Sequence, residues 1–350
     1  LVNGHTIGTA DWFILSQIET VGRSVSYSLL PSELVSQVVV NKSSLASLPE
    51  GGATGTVNII TRKPLEFPDT FTAEASIGGV YADGPGKTTP QFSGLFNWKN
   101  DAGTFGVMAQ AFYQERELRR DGQEVVGGFG QISPTSAVAI SNPDLAGVYF
   151  PSLIGSTYFT QTRERQGGLI ELQAKPSDTW TLGLSAFVSD MDAKNYNRNY
   201  MLWTGNFVNS QAPLAGYRIE NNTLVQADYA GVAGTGYGVY DMISRPKSSA
   251  KSHYVTFDAD WAASDSLDVK FQLGTTEGKG ETGTQNIAEV VTGVGGGGGW
   301  TVNGTGRPID WYMGGDHSQP TTNGFGTWGI QYYGVEDKEN WFSADAELFL

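Results

Sequence analysis

Eight segments of the chain alternate between apolar and polar positions after residue 70. In the fifth segment, Trp180, Leu182, Leu184 and Val188 share one face, and Thr179, Thr181, Ser185 and Ser189 lie on the other. A period of two places successive side chains on opposite faces, so each segment predicts a β-strand. The segments are 71–77, 91–98, 105–114, 170–174, 179–189, 255–261, 267–273 and 342–348. In all eight, every charged residue lies on the polar face.

The connections between these segments are of two kinds. Tight turns lie at 99–103, 175–178 and 263–266, and a short hairpin lies near 81–88. Long excursions lie near 119–157, 190–250 and 280–337, and we interpret them as loops. Trp98, Trp180 and Trp261 occupy the apolar face within a few residues of a tight turn. Short turns at one end, long loops at the other and a tryptophan belt are typical of transmembrane β-barrels.

Composition narrows the function classes. The net charge of −14 offers nothing to neutralise a run of phosphates, which argues against nucleic acid as a partner. The absence of cysteine excludes disulfide scaffolds and thiolate metal sites from this sequence. No apolar run approaches the ~18 residues that a transmembrane helix needs. A mean hydropathy of −0.25 is still compatible with membrane strands, because alternating faces average out.

A soluble β-sandwich also alternates, so it is the main structural alternative. A Lys or Arg facing mid-bilayer lipid costs ~2–4 kcal/mol, and a lipid-facing surface should therefore lack charge, as the apolar face does. We expect an antiparallel outer-membrane β-barrel over residues 67–350. An open arc of eight strands leaves two unpaired edges in hydrocarbon, so we expect these strands to belong to a longer protein. The chain also opens without a signal peptide.

Residues 1–66 have a different pattern. The stretch Leu30–Val35 predicts a short helical turn, and Val38–Val40 a short buried strand. The Val57–Thr61 core predicts another strand, which Pro64 ends. The whole stretch VVVNKSSLASLPEGGATGTVNIITRKPL resembles the end of the plug domain of TonB-dependent receptors. The upstream segments LVNGHTIG and LPSELVSQ resemble plug segments of the large proteobacterial branch of that family.

The resemblance implies that residues 1–66 are the C-terminal part of a small α+β plug and that the barrel is about eight of twenty-two strands. Its motif positions here are Glu50, Gly51, Gly52, Gly55, Asn58 and Arg62. Asn41-Lys42 departs from the Gly-Pro pair of many members. The TonB box and the first half of the plug are absent from this chain. The implied partners are the inner-membrane TonB complex, outer-membrane lipid and a small ligand, with no cofactor.

The resemblance also implies ligand capture by outer loops, followed by TonB-driven rearrangement of the plug. We expect an oligosaccharide, with a ferric siderophore as the alternative. Aromatic faces beside amides and acids suit such ligands. The candidate ligand residues are Asn195, Tyr196, Asn199, Tyr200, Trp203, Trp300, Asp310, Trp311 and Trp328. By analogy with ionic plug–barrel contacts in the family, Arg62 and Lys63 are expected to pair with carboxylates such as Glu74 or Asp258.

Other classes remain as alternatives. A passive porin would have no plug, and a secreted β-rich lectin or adhesin would be soluble. An enzyme is not expected, because His5, His253 and His317 lack metal-ligand spacing and the glycines of Gly84–Thr88 do not complete a phosphate-binding loop.

Overall fold

A computed structural model describes residues 1–9, 30, 32–43, 55–315, 317 and 324–349. Eight long antiparallel strands dominate it. They are β3 (Phe71–Ala82), β4 (Lys87–Lys99), β5 (Phe105–Gln131), β6 (Tyr149–Ser177), β7 (Trp180–Trp203), β10 (Gly238–Ser264), β11 (Leu267–Thr292) and β14 (Gly324–Leu348). Each contains one of the alternating segments, so all eight predicted strands are confirmed. No helix among the described residues is both long and apolar enough to cross a membrane.

The long strands pair in chain order, each antiparallel to the one before. The tight turns account for four of these pairings, because a two- to five-residue connection can only join neighbouring antiparallel strands, whereas long connections join β5 to β6, β7 to β10 and β11 to β14. Within the described ranges, β3 pairs only with β4 and β14 pairs only with β11. The sheet is therefore open at both edges in the part of the chain that the structure describes.

The predicted long loops are mostly strand, which corrects that interpretation. β5 continues to Gln131, β7 to Trp203 and β11 to Thr292, and the returning strands begin correspondingly early. The connections are 132–148, 204–237 and 293–323. The outer parts of these strands carry polar residues on both faces, so the alternation that marks the inner parts disappears from the sequence.

Short elements fill the long connections and pack as one unit, here called the cap. It consists of α1 (Ala137–Ser141), α2 (Thr204–Val208), β8 (Arg218–Glu220), β9 (Thr223–Tyr229), β12 (Gly298–Val302) and β13 (Ile309–Met313). Asn221 and Asn222, both at positive φ, form the tight turn between β8 and β9. A buried cluster that includes Phe207, Tyr237 and Trp300 holds the cap on the ends of β6 and β7.

The N-terminal segment, residues 1–9, 32–43 and 55–66, contains a hairpin of β1 (Val35–Asn41) and β2 (Thr56–Thr61). The predicted helical turn is a 3-10 turn at Ser32–Leu34, and a second one lies at Pro64–Glu66. β1 is a strand as predicted but is not buried, because Val38 and Val40 are more than half exposed. A parallel bridge joins Val2 to Ile59 beside the hairpin.

The two faces of the long sheet differ in what covers them. The N-terminal segment packs on the polar face, where Val2, Ile7, Leu34 and Ile59 meet large side chains that sit between the polar ones. Those side chains are Leu95, Met108, Phe112, Leu169, Phe187 and Tyr254. Many large residues of the apolar face are exposed instead. They include Phe71, Ile77, Phe92, Phe96, Trp98, Phe105, Ile170, Leu184, Val188, Val255, Leu273, Phe342 and Leu348.

The apolar face has a sharp boundary on the side away from the tight turns. Asp190 lies two positions beyond Val188 and opposite Lys251, with a carboxylate–ammonium distance of 3.7 Å. On the next strand, Glu277 lies opposite Lys338 with the charged atoms 3.4 Å apart. These two ion pairs, here called the ion-pair belt, border the apolar band on β7, β10, β11 and β14. At the other border, Trp180 and Trp261 stack with centroids 5.3 Å apart.

Candidate functional site

A buried carboxylate anchors the N-terminal segment to the polar face. The Glu171 side chain is fully buried, and its Oε2 lies 2.9 Å from Lys63 Nζ. Its Oε1 accepts hydrogen bonds from Thr61 Oγ1 at 2.8 Å and from Ser185 Oγ at 2.9 Å. Two of these three donors come from the N-terminal segment and one from β7. Removing one partner of such a pair leaves a buried charge uncompensated, which typically costs ~3–5 kcal/mol.

The expected pairing of Arg62 and Lys63 is met only in part. Arg62 Nη1 lies 3.7 Å from Glu74 Oε2, as one of the two expectations had it. Both side chains are substantially exposed, so this pair contributes little. Lys63 pairs with Glu171, which the sequence did not single out. Asp258 instead accepts a hydrogen bond from Gln272 Nε2 at 2.6 Å.

The plug-motif residues that the structure describes have structural roles. Gly55 has a φ of 130°, and a Cβ there would lie 2.5 Å from the carbonyl oxygen of Asn41, so only glycine fits. Asn58 Oδ1 accepts a hydrogen bond from the backbone N–H of Gly4 at 2.9 Å, which ties the first residues to β2. Glu50, Gly51 and Gly52 lie outside the described residues.

The first residues of the chain extend across the polar face to β14, the edge strand opposite β3. His5 stacks on Trp341 of β14 with centroids 3.8 Å apart, and Thr6 Oγ1 donates to Glu339 Oε2 at 2.8 Å. A Cβ on Gly8 would lie 2.7 Å from the backbone nitrogen of Gly278, so the two backbones touch. The N-terminal segment therefore contacts the polar face from β3 to β14. Nothing in the spacing of the histidines indicated the role of His5.

Strand alternation separates the ligand residues predicted near 195–203. Asn195 and Asn199 are buried on the polar face of β7, next to their cross-strand neighbours. Tyr196 and Tyr200 point to the opposite face and are partly exposed, and Trp203 is exposed at the strand end. These residues cannot form one site, because the predicted loop is a continuous strand with a period of two.

The predictions in the last long connection also need correction. Trp300 is buried in the cap, where its Nε1 donates to the carbonyl of Leu224 at 3.0 Å, so it is a core residue rather than a surface one. Asp310 is exposed and accepts a hydrogen bond from Asn303 Nδ2 at 3.0 Å. Trp328 is 77% exposed on β14, apart from the cap.

One group of aromatic side chains lies close together near the ends of β7 and β10, on the face opposite the polar face. The ring of Tyr200 lies 6.1 Å from Trp311, 6.4 Å from Tyr240 and 5.9 Å from His317. Thr292 Oγ1 and His317 Nδ1 are 2.9 Å apart. Burial raises the pKa of the Tyr200 hydroxyl. Of the candidate ligand residues, only Tyr200 and Trp311 are brought together here.

A row of polar side chains crosses the polar face above the N-terminal segment. Gln161 Nε2 donates to Asn195 Oδ1 at 2.8 Å, Arg245 Nε donates to Gln285 Oε1, and Gln285 Nε2 donates to Gln331 Oε1 at 2.8 Å. These five residues come from five strands, β6, β7, β10, β11 and β14. We call them the amide row. Except for Asn195, sequence reasoning missed them because their alignment depends on strand register.

Two buried amide groups at the amide row can donate further hydrogen bonds. The side-chain amide nitrogens of Asn195 and Asn197 are buried and have no hydrogen-bond partner among the described residues. Four residues beyond Asn195 on β7, the backbone N–H of Asn199 donates a hydrogen bond to Asp241 Oδ1 at 3.1 Å. Burial raises the pKa of Asp241 to about 6, and the hydrogen bonds from Asn199 oppose this shift. Such a surface can hydrogen-bond hydroxyl groups of a ligand.

Comparisons with protein-family models, with curated proteins and with solved structures found no match for this chain. Within the described ranges, no group of three or more His, Cys, Asp or Glu side chains is placed to hold a metal ion.

Proposed function

We propose that this chain is part of a TonB-dependent outer-membrane receptor, in which the long sheet is a segment of a transmembrane β-barrel and the N-terminal segment is part of the plug. The observation that supports the proposal most strongly is that the burial of the two faces is the reverse of that in a water-soluble sheet. The apolar face is exposed, and the polar face is covered. The resemblance of the 38–65 stretch to the end of a plug domain supports the same assignment.

Exposure of the apolar face is unfavourable in water and favourable in lipid. Burying one large apolar side chain is worth ~1.5–3 kcal/mol relative to exposure in water. Thirteen such side chains of this face are 39% to 82% exposed. Even after discounting for partial exposure, leaving them in water forgoes on the order of 10 kcal/mol or more. A water-soluble sheet would turn this face inward, whereas lipid makes its exposure favourable.

The dimensions of the apolar band suit a bilayer. The band spans nine residues on β7, from Trp180 to Val188, and seven on β11, from Leu267 to Leu273. At ~3.3 Å per residue these runs cover about 23–30 Å along the strand, which at the ~35–45° tilt of barrel strands gives a band about 16–25 Å tall. Outer-membrane barrels have an apolar band ~25 Å tall with aromatic girdles. The stacked tryptophans and the belt of ion pairs at the two borders match its interfaces.

In this proposal the covered polar face lines the lumen, which favours an active receptor over a passive porin. A porin needs an open channel, whereas here the N-terminal segment contacts this face through the buried Glu171 carboxylate. The amide row and the spare amide groups of Asn195 and Asn197 support a hydroxyl-rich ligand such as an oligosaccharide. A ferric siderophore is the second candidate ligand of the same class.

Two experiments test the proposal. Spin labels at Leu184 and Phe257 should report contact with acyl chains, and a label at Asp192, on the same face beyond the ion-pair belt, should report water. Water contact at both band positions would overturn the membrane assignment. Growth on an oligosaccharide as sole carbon source should require both this protein and TonB; growth that persists without TonB would overturn active uptake.

A further inference from the structure

β5 and β6 sort their charges by sign between the two faces. The run Glu115-Arg116-Glu117 on β5 lies against Arg163-Glu164-Arg165 on β6. In the strand register, Arg116 lies directly opposite Arg163, and Glu115 lies directly opposite Glu164. Alternation then places the arginines on the polar face and the glutamates on the other face. Like charges therefore face like charges on both sides of the sheet.

This arrangement is unfavourable for the sheet itself. Like charges directly opposite each other destabilise a strand pair, whereas opposite charges stabilise it. Among the described residues, no carboxylate lies within ion-pair distance of Arg116 or Arg163. Arg116 donates instead to the carbonyl of Glu115 at 2.7 Å and to Gln91 Oε1 at 2.6 Å. Neither acceptor carries a charge. Within the described residues, no ion pair offsets this repulsion.

Arg165 extends the cluster toward the N-terminal segment. Its Nη2 donates to Gln114 Oε1 at 2.5 Å, and its guanidinium lies 5.6 Å from the ring centroid of Phe112. Glu33 of the N-terminal segment is the carboxylate that acts on Arg165, and its Oε1 accepts a bond of 3.4 Å from Gln114. In the part of the chain that the structure describes, Arg116 and Arg163 therefore add positive charge that no ion pair offsets.

The arginines of the cluster are charged and partly exposed. Burial and the neighbouring guanidiniums lower the pKa of Arg163 and bring that of Arg165 to about 10, so both stay protonated at neutral pH. Arg116, Arg163 and Arg165 are only partly buried. On β7, Arg163 lies opposite Ala193 and Arg165 lies opposite Met191, and both of these apolar residues are buried.

We propose that Arg116, Arg163 and Arg165 bind the carboxylate, sulfate or phosphate group of the transported ligand, which is therefore acidic. The inference rests on the proposed function, because it places the cluster in the lumen between the amide row and the N-terminal segment. Guanidinium groups bind planar oxyanions through paired hydrogen bonds, and desolvation strengthens that attraction. The amide row would contact neutral hydroxyls of the same ligand.

The test compares purified wild-type protein with Arg163→Gln, the double variant Arg116→Gln/Arg163→Gln, and Arg119→Gln as the control. Arg119 is on β5 but points to the other face, where its Nε lies 2.7 Å from Asp121 Oδ2. Isothermal titration measures binding of tri-galacturonate, ferric citrate and the neutral maltotriose. Thermal unfolding is followed with inorganic sulfate and with chloride at equal ionic strength.

We expect an acidic ligand to bind and maltotriose to bind at least tenfold more weakly. Each arginine removed should weaken binding of the acidic ligand about tenfold or more, while Arg119→Gln leaves it unchanged. Preference for tri-galacturonate indicates an acidic sugar, and preference for ferric citrate a chelate. Without added anion, Arg163→Gln should raise the unfolding temperature because it removes the repulsion, and sulfate should stabilise the wild type but not the double variant.

Equal affinity for maltotriose, the absence of any anion binding, or unchanged binding by the double variant would overturn the inference. A lower unfolding temperature of Arg163→Gln without anion would do so too, because the arginines would then be structural. Outer-membrane fractionation of the same variants separates the two proposals. If the protein fractionates with the outer membrane but binds no anion, the proposed function stands and only this inference is wrong.

Discussion

A charge placed in the centre of the apolar face should block membrane folding. Leu184 lies midway between Trp180 and Val188, and its cross-strand neighbours on the same face are Leu172 and Phe257. If the face meets lipid, Leu184→Arg places a guanidinium near the bilayer midplane at a cost of ~2–4 kcal/mol. At ~1.4 kcal/mol per factor of ten, folding would become roughly 30- to 1000-fold less favourable.

If the apolar face meets water instead, the expected change in stability is much smaller. On a water-facing surface, replacing a partly exposed leucine by arginine changes stability by only about ±0.5 kcal/mol and improves solubility. The matched control is Asp192→Arg, on the same strand and face but beyond the ion pair of Asp190 with Lys251. It should cost no more than about 1 kcal/mol.

The assay is refolding of the protein into lipid vesicles, followed by tryptophan fluorescence across a urea titration. Abundance of each variant in isolated outer membranes gives an independent measurement. If Leu184→Arg is no more destabilising than Asp192→Arg, the apolar face does not lie in hydrocarbon, and the membrane assignment fails with it.

Three further predictions concern the N-terminal segment and the polar face. Lys63→Met should destabilise docking of the N-terminal segment by ~3–5 kcal/mol, because its buried carboxylate partner loses its counter-charge, whereas Arg62→Gln should cost under about 1 kcal/mol; limited proteolysis near the N-terminus measures both, and equal sensitivity would contradict the ranking. Gly55→Ala should lower the unfolding temperature, because its φ of 130° and the nearby carbonyl exclude a Cβ, whereas Gly122→Ala, with open space around it, should not; the same result for both would refute the steric argument. Asp241 lies outside the apolar band, and its raised pKa of about 6 means that the folded state binds the proton more tightly than the unfolded state. Its contribution to stability, at most about 3 kcal/mol, should be present below pH 4 and lost as the pH rises through 6. The difference in unfolding free energy between wild type and Asp241→Asn, measured by urea titration from pH 4 to 8, should fall accordingly, and a difference independent of pH would show that Asp241 does not titrate in this range.

The sequence by itself determined the eight strands, the antiparallel pairs that tight turns join and the charge-free face. These features are local: a period of two over five to eleven residues identifies a strand, and a tight turn leaves no choice of neighbour. The ionic contacts of Arg62 and Lys63 were expected only by analogy with the family, and of the pairs expected the structure shows Arg62 beside Glu74. The full length of the strands escaped prediction, because beyond the apolar band both faces carry polar residues and the period is lost.

Only the tertiary structure decided which residues meet. Register between strands places Gln285 beside Arg245 and Arg116 opposite Arg163, although each pair is about 40 to 50 residues apart in the chain. Docking of the N-terminal segment made Glu171 the partner of Lys63. Alternation on an extended strand likewise separated asparagines from tyrosines that look contiguous in the sequence. Contacts of this kind depend on long-range pairing and packing, which residue type and spacing along a single chain do not encode.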